Sequence, residues 1–386
     1  MEPRVAVVGV GSYGYCPQSA ELSYKELMYR AAVAAYEDAG VDPRDDVDSF
    51  VTVAEDFVEG TSIFDEYVPD QLGAVHRSVH TITGDGLHGL ATAAMLLRTG
   101  QSEVVVVEGH SKASNLLSKP QVTAYAQDPV LNRPLNLNTH FVAGLDMSRY
   151  LHESGATLEQ CSVVVAKNRR NALGNPRAAY GADLSVEDVS GGEEIAWPLL
   201  RRHTSEHADG AVVFVLATEA WARENSDQPV WLHGVGWCNG TAALESRDWG
   251  HASYVRKSAE MAYRQAGFDD PRSSVDFAEI DDTYAYKELQ HLEALGLCDA
   301  GEAGELTQNG ATAIDGELPV NASGGSLGMG DLLEANGLAR AHEVILQLRR
   351  QAGQHQLDDV EIGVAQSWRG VPSASAAVAV FGVEGA

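Results

Sequence analysis

Carboxylates and tyrosines that could transfer protons are concentrated in a few turns of this 386-residue chain. The segment from Glu279 to Leu289 contains two aspartates and two tyrosines, and a glycine-rich run from Asn321 to Gly337 contains one more aspartate. Two carboxylates that face each other across one pocket push one pKa upward, which gives a base and an acid from the same residue type. The sequence therefore favours acid/base chemistry, with five candidate groups: Asp281, Asp331, Tyr284, Tyr286 and His88.

Each candidate also has a purely structural interpretation. Asp281 and Asp331 are of a type that caps helix N-termini. Tyr284 and Tyr286 are separated by one residue, which indicates that they point together, but buried tyrosines are usually core residues, and a histidine such as His88 is often satisfied inside a core. Both interpretations stay open for all five residues at the level of sequence.

The glycine-rich run leads directly into an apolar helical pattern from Leu338 to Leu348. Glycine lets the backbone pass close to a ligand at a helix N-terminus, although a tight turn requires glycine as well. We interpret the run as an active-site loop. It is expected to meet three other segments: Thr83 to His88, Glu279 to Leu289, and the strand end from Gly363 to Gly370.

An internal match indicates how these segments are positioned. Residues 35–49 align with residues 262–277 across a helix, its glycine cap, a proline turn and a strand, which predicts a duplicated α/β unit. The halves are expected at 1–228 and 229–386, with a loop excursion at about 111–205. Helix layers should pack on mostly parallel sheets, share a central helix layer, and bring the Gly84-Asp-Gly turn and the glycine-rich run together at a pseudo-twofold axis.

Local patterns predict several elements of the first half. Helical periodicity covers 24–39, 149–171 and 185–190, whereas residues 111–144 carry few periodic signals and are expected to form a loop over the site.

Composition limits the possible functions. A formal net charge of -28 argues against nucleic-acid binding, and no apolar run is long enough to span a membrane. The N-terminus enters a strand at once, without an export signal, so a cytoplasmic location is expected. The four cysteines are far apart and indicate neither a disulfide framework nor a metal site; one of them, Cys298, is expected to be a buried apolar residue.

Four further stretches support a family resemblance. They are Asp209-Gly-Ala-Val-Val, Glu293-Ala-Leu-Gly-Leu, Pro319-Val-Asn-Ala-Ser-Gly-Gly and the helix after Asn336-Gly337. Over essentially its whole length the chain resembles the thiolase superfamily, most closely its archaeal-type and sterol-carrier-protein-like branch. The resemblance implies a five-layered α-β-α-β-α fold made of two duplicated halves. It also implies a coenzyme A thioester as substrate with no bound cofactor, and a homodimer or a dimer with a thiolase-like paralogue.

The family's catalytic residues are replaced in this chain. Thr83 stands where a thiolase has its nucleophilic cysteine, and Asp281 and Asp331 stand where it has two histidines. Ser367 is the residue nearest to the position of the C-terminal acid/base cysteine. Because a Claisen thiolase needs an acyl-accepting nucleophile, ordinary thiolase chemistry is not expected.

Retro-aldol cleavage of a β-hydroxyacyl-CoA needs no covalent intermediate, only a base, an oxyanion site and a proton donor. Members of this branch that lack the cysteine are aldolases that shorten steroid side chains with a small OB-fold partner of the DUF35 type. They have tyrosines at the positions of Asp281 and Asp331, so this chain departs from their pattern. The lyase interpretation places acyl-CoA against Gly324 and Gly325, and its phosphates against Lys167, Arg169 and Arg170, for which a solvated helix face is the alternative.

Two other functions remain compatible with the sequence. One is a non-catalytic thiolase-like subunit of a heteromeric complex. The other is an acyltransferase or thiolase with an unrecognised nucleophile.

Overall fold

The computed structural model describes residues 3–55, 58, 63–116, 123–125, 127–370 and 374–384. The strands are β1 (Val5–Cys16), β2 (Ser49–Val53), β3 (Ser78–Ile82), β4 (Val104–Lys112), β5 (Glu194–Ala196), β6 (Leu199–Leu200), β7 (Asp209–Thr218), β8 (Val230–Asn239), β9 (Phe277–Glu279), β10 (Ile362–Gly370) and β11 (Ala374–Gly382). The helices are α1 (Tyr24–Ala39), α2 (Pro69–Leu72), α3 (Gly86–Arg98), α4 (Thr139–Ser154), α5 (Leu158–Asn171), α6 (Val186–Ser190), α7 (Glu219–Asn225), α8 (Ser253–Ala266), α9 (Pro271–Ser274), α10 (Ala285–Ala294), α11 (Ala303–Gln308), α12 (Gly325–Met329) and α13 (Asn336–Leu348).

The main sheet is mixed, with the strand order β3-β2-β4-β7-β1-β8-β11-β10-β9. The prediction of mostly parallel sheets is wrong, because among the named strands of the described residues the parallel pairs are β2 with β3, β2 with β4, and β9 with β10. The pairs β1–β7, β1–β8, β4–β7, β8–β11 and β10–β11 are antiparallel. For β10 and β11 the reason is the short connection, since parallel neighbours need a crossover of a dozen residues or more.

The helices lie in layers on the two parts of this sheet. Helix α1 packs on β1 and β7, and α8 packs on β8 and β11. Between the two parts, α3 packs on β2 and β4, α13 packs on β9 and β10, and the two helices contact each other. The approach is close, because a Cβ atom at Gly86 would lie 2.6 Å from Cγ of Leu338. The predicted five-layered α-β-α-β-α fold is confirmed.

The matching segments of the two halves have matching local structure. Helix α1 ends at Gly40, with φ at 68°, and its amide donates to the carbonyl of Tyr36. Helix α8 ends in the same way at Gly267, with φ at 77° and a bond to Tyr263. Each cap leads to a buried strand, β2 or β9, as the internal match predicts. The boundary at residue 228 stays a prediction.

The excursion between β4 and β7 is more helical than its sequence indicates. The single helix predicted over 149–171 is two helices, because Gly155, with φ at 76°, ends α4, and Thr157 caps α5. Helix α4 already begins at Thr139, within the stretch 111–144 predicted to be a loop; residues 117–122 and 126 of that stretch lie outside the described residues. Within the described part of the chain, every helix is too short or too polar to cross a bilayer.

Candidate active site

Asp281 lies just after β9 and is held by an ion pair. Its Oδ2 is 2.8 Å from Nη2 of Arg340, and its Oδ1 accepts the amide of Thr283 at 3.0 Å. The Arg340 guanidinium also donates to Oγ of Ser326 at 2.7 Å. Both charged side chains are fully buried; burial raises the pKa of Asp281, and the positive charge of Arg340 acts against that rise. Asp281 thus has a buried cationic partner that the residues next to it in the sequence do not indicate.

Asp331 lies at the start of a helical turn in the glycine-rich run. Its Oδ1 accepts the amide of Leu333 at 3.1 Å and Nδ2 of Asn336 at 2.7 Å. Leu333 is the first residue of a 3₁₀ turn whose N-cap is Leu332, so Asp331 accepts an amide of this turn from the position before the cap. These two donors fix the orientation of the carboxylate.

The segment Thr204–Ala208 holds the turns of Tyr284 and Asp331 next to each other. Thr204 forms an antiparallel bridge with Tyr284, and His207 forms a parallel bridge with Asp331. The amide of Asp331 donates to the carbonyl of Glu206 at 2.7 Å, and the amide of Ala208 donates to the carbonyl of Asp331 at 2.9 Å. Three residues of extended chain span about 10 Å. This segment therefore fixes the spacing between the two turns.

Tyr284 and Tyr286 lie side by side but have different surroundings. Their ring centroids are 6.1 Å apart and nearly stacked, as the one-residue spacing indicates. Burial, and after it the charge of Asp331, raises the pKa of Tyr284. The Tyr286 hydroxyl instead donates to Oδ2 of Asp146 at 2.8 Å, and Asp146 in turn pairs with Lys287 at 2.6 Å.

The turn before α3 contains Thr83, which is exposed, and Asp85, which is buried. Asp85 caps α3 by accepting the amide of Leu87 at 2.9 Å, and its second oxygen accepts the amide of Gly337 at 2.9 Å. The predicted meeting of the glycine-led turns of the two halves is confirmed by this contact. The His88 imidazole packs against Gly84, the residue that follows Thr83 in the chain. Burial lowers the pKa of His88.

Asp85 should therefore contribute more to stability than an ordinary cap. Replacing Asp85 with Ala removes the cap of α3 and leaves the buried amide of Gly337 without its acceptor. We expect a loss of about 2 to 4 kcal/mol in the free energy of unfolding, measured with urea. The matched control is Asp270→Ala, where the lost cap of α9 is exposed and should cost about 1 kcal/mol. Equal losses in the two variants would contradict this role.

The glycines of the run are needed for contact with the protein itself. Gly325 has φ at 56°, and a Cβ atom there would lie 2.2 Å from Oδ2 of Asp282. At Gly324, with φ at 103°, a Cβ atom would lie 2.6 Å from Cβ of Ala172. The Asp282 carboxylate accepts the amides of Ser326 and Leu327 at the start of α12. The close backbone approach is thus explained without a ligand, and contact of Gly324 and Gly325 with acyl-CoA stays a prediction.

The basic residues predicted to bind phosphate all have partners. Lys167 is 8% exposed and lies 2.9 Å from Oε1 of Glu288. Arg169 donates to the carbonyl of Tyr180 at 3.0 Å, and Arg170 pairs with Asp183 on the surface. A phosphate would have to compete with these contacts, most severely at Lys167. In this arrangement the three side chains are already engaged by protein groups.

Ser367 lies in β10, whose side chains alternate between two faces. Gln366 and Trp368 face Asp281 and Tyr284, because Gln366 accepts the amide of Asp281 and the Trp368 ring lies 6.1 Å from that of Tyr284. Ser367 is fully buried and faces the central helices instead. The structure therefore does not bring Ser367 together with Tyr284.

Comparisons with known proteins agree with this geometry. A thiolase C-terminal domain-like family model matches residues 237–383. An acetyl-CoA acetyltransferase of Methanothermobacter thermautotrophicus is 30% identical over 383 residues, which cover 98% of this chain and 99% of the relative. The chain belongs to the thiolase superfamily.

Other relatives in the thiolase superfamily are named for a different activity. A steroid side-chain-cleaving aldolase of Thermomonospora curvata is 28% identical over 387 residues, which cover 95% of this chain and 96% of the relative. The structure of the Ltp2-ChsH2(DUF35) aldolase superposes with a TM-score of 0.83 at 25% identity, covering 100% of this chain and 99% of that one. The thiolase-superfamily relatives thus include both acyltransferases and carbon–carbon lyases.

Several residues that build this thiolase-superfamily site are not evident from the sequence. They act across long separations, and no local motif marks them: Arg340, Asn336, Asp146, Lys287 and the segment Thr204–Ala208. A pairing of charges conserved across relatives could have revealed Asp281 with Arg340, but a single sequence contains no such signal.

Proposed function

We propose that this thiolase-superfamily protein is a carbon–carbon lyase that cleaves a β-hydroxyacyl-CoA by a retro-aldol reaction. The observation that carries the proposal is the turn before α3, where the exposed residue at the nucleophile's position is Thr83. The cysteines lie elsewhere, and burial raises the pKa of Cys161 and Cys298 to about 12, which keeps them as thiols. Full-length similarity to aldolases supports the same activity.

The reaction fits groups that move protons without forming a covalent adduct. A base removes the proton from the β-hydroxyl, the Cα–Cβ bond breaks, and a ketone or aldehyde leaves. The acyl-CoA enolate then takes a proton at Cα. The candidate groups Asp331, Tyr284 and His88 are of the required types.

A second subunit is also part of the proposal. In the described residues β3 pairs with β2 alone, and Ser78 and His80 on β3 are exposed. At the opposite edge, β9 is covered by Val320 and Asn321 of the same chain. An open edge strand is a template for pairing, which supports a dimer along β3 with a second copy or a paralogue. The name of the Ltp2-ChsH2(DUF35) aldolase supports a small DUF35-type partner as well.

The test is a cleavage assay on the purified protein, with and without a DUF35-type protein encoded next to it. Incubation with a series of β-hydroxyacyl-CoA thioesters should release a ketone or aldehyde and a shortened acyl-CoA, both measured by mass spectrometry. Absence of both products under every pairing would refute the lyase proposal. Because the proposed reaction forms no covalent enzyme intermediate, Thr83→Ala should lower kcat by less than about tenfold, whereas loss of a nucleophile would abolish turnover.

The alternative of acyl transfer is favoured by the 30% identical acetyl-CoA acetyltransferase. That reaction would acylate a side chain, with Thr83 the residue at the nucleophile's position. Intact-mass measurement after mixing with acetyl-CoA distinguishes the two functions. A stable mass increase of one acetyl group, lost in Thr83→Ala, would support transfer and count against the lyase.

A further inference from the structure

We propose that Glu153, Asp248 and His251 bind a divalent transition-metal ion, with Zn²⁺ as the preferred one. Glu153 lies in the last turn of α4, within the excursion between β4 and β7, and the other two residues lie in the connection between β8 and α8. One ligand atom from each of the three side chains lies within 4.8 Å of the other two. The cluster is separate from the acid/base groups of the candidate active site, and the proposal does not depend on the lyase activity.

The His251 imidazole faces two carboxylates at distances that suit a shared ion better than direct hydrogen bonds. Its Nδ1 lies 3.4 Å from Oδ2 of Asp248 and 3.6 Å from Oε2 of Glu153. An N–H···O hydrogen bond is about 2.7 to 3.2 Å long. Two atoms that bind the same tetrahedral zinc ion, each at about 2.0 to 2.1 Å, are about 3.3 Å apart. The imidazole nitrogen and the two carboxylates are therefore spaced as ligands of one ion.

Each carboxylate is oriented by contacts that leave one oxygen for the ion. Oδ1 of Asp248 accepts the amides of Gly250 and His251, each at 3.1 Å, so Oδ2 can face the ion. Arg149 pairs with Oε1 of Glu153, and Oε2 is the oxygen that faces His251. Contacts of this kind fix the orientation of metal ligands before the ion binds.

Gly250 provides the space that the Glu153 carboxylate occupies. Gly250 is buried, and a Cβ atom at this position would overlap Oε2 of Glu153. A larger residue at position 250 would therefore displace the carboxylate from the cluster. This close approach joins two segments that are far apart in sequence, so no local spacing of ligands marks the site.

The ligand types favour zinc over the hard divalent cations. Ca²⁺ and Mg²⁺ prefer oxygen ligands, whereas one imidazole nitrogen with two carboxylates suits Zn²⁺. Three protein ligands leave the fourth position for water. The bound ion would hold the end of α4 against the connection before α8. Helix α4 also contains Asp146, which binds Tyr286 and Lys287 of α10, so the ion would stabilise the helix that supports this side of the candidate active site.

The experiment measures Zn²⁺ binding to the untagged full chain after metal has been removed with a chelator. Calorimetric titration should show one ion per chain. A dissociation constant of about 10 µM is expected, because three ligands bind the ion and the charge of Arg149 opposes it. At that affinity, about 0.1 mM Zn²⁺ should raise Tm by about 1 to 2 °C. Mg²⁺ at the same concentration should not, and Co²⁺ should show the strong visible absorption of tetrahedral coordination.

Three variants test whether the ion binds at this cluster. His251→Ala and Glu153→Gln each remove a ligand and should weaken binding by about tenfold or more. Gly250→Ala keeps all three ligands but displaces the Glu153 carboxylate, so it should weaken binding to a similar extent. The matched controls are His152→Ala, at the exposed histidine next to Glu153, and Glu260→Gln on the exposed face of α8. Both should keep the wild-type affinity and the wild-type rise in Tm.

Two results would overturn the proposal. One is absence of Zn²⁺ binding to the wild type. The other is binding that persists with unchanged affinity in His251→Ala and Glu153→Gln, which would reveal an adventitious ion only, held elsewhere on a chain with a formal net charge of -28. Circular dichroism and the Tm without metal establish that each variant is folded. If Gly250→Ala does not fold, the two ligand variants decide the question.

Discussion

Replacing Arg340 with Met is expected to lower the free energy of unfolding by about 3 to 5 kcal/mol. Arg340 lies 2.8 Å from Oδ2 of Asp281 and 3.9 Å from Oδ1 of Asp282, and all three side chains are fully buried. Removing the guanidinium leaves the two buried carboxylates without the positive charge between them, and Ser326 loses its donor. Urea unfolding of the purified variant at pH 7 measures the change.

The matched control is Arg170→Met, which breaks an ion pair with Asp183 whose two side chains are 63% and 72% exposed. Solvent screens that pair, so a loss of about 0 to 1 kcal/mol is expected. The double variant Arg340→Met with Asp281→Leu should recover part of the stability, because it removes the carboxylate that the single variant leaves unpaired. A loss below 1 kcal/mol in Arg340→Met would show that the buried pair does not hold this turn.

The fold was predictable where local sequence determines local structure. Helix α1 spans the residues that its periodicity predicts, because Ser23 begins it and Gly40 supplies the left-handed conformation that ends it. The repetition of helix, cap and strand at Gly267 predicts a second copy of the unit for the same reason. Together with the family resemblance, these signals lead to the five-layered architecture.

Strand direction was not predictable from the same signals. Strand β7 lies between β1 and β4 and is antiparallel to both, and both pairings join segments far apart in sequence. A buried apolar strand has the same composition in either direction, because burial on both faces removes the alternation of apolar and polar residues. Strand order and direction follow from tertiary packing.

The acid/base residues of the candidate site could be predicted from the sequence, but the side chains that bind them could not. The turns with Asp281, Tyr284 and Asp331 were identified because turn-rich segments with acid/base residues stand out locally. The side chains that bind the two aspartates, Arg340 and Asn336, lie on helix α13. No local sequence feature distinguishes them from other helix residues. For Lys167 the sequence is misleading in another way. A lysine on a helix is expected to be a surface cation, but Lys167 forms an ion pair with a buried glutamate.

Glu279 should make the free energy of unfolding depend on pH, and the substitution Glu279→Gln should remove that dependence. Glu279 is fully buried in β9; Ser323 donates its amide to one carboxylate oxygen at 3.0 Å and hydrogen-bonds the other through its hydroxyl. Burial raises the pKa of Glu279 from 4.5 to about 8. The folded protein therefore keeps a proton on this group at neutral pH, whereas the unfolded chain releases it.

The sign of the effect follows from this proton. Between about pH 5 and pH 8 the folded state binds the proton and the unfolded state does not, so raising the pH favours unfolding by roughly 1 kcal/mol per pH unit for this group. Glu279→Gln imitates the protonated acid in shape and cannot titrate. The free energy of unfolding of Glu279→Gln minus that of the wild type should therefore rise with pH across this window and level off above about pH 8.

Taking the difference between the two proteins is essential, because other buried groups titrate in the opposite sense. Burial lowers the pKa of His203 and His342 to about 4, so these side chains favour the folded state as pH rises toward 6.5. Their contributions cancel in the comparison. Urea unfolding at half-unit steps from pH 5 to pH 9 gives the curve, with Glu260→Gln on the exposed face of α8 as the control. A pH-independent difference for Glu279→Gln would mean that this carboxyl is already ionised in the folded protein at pH 5, and that Ser323 outweighs burial.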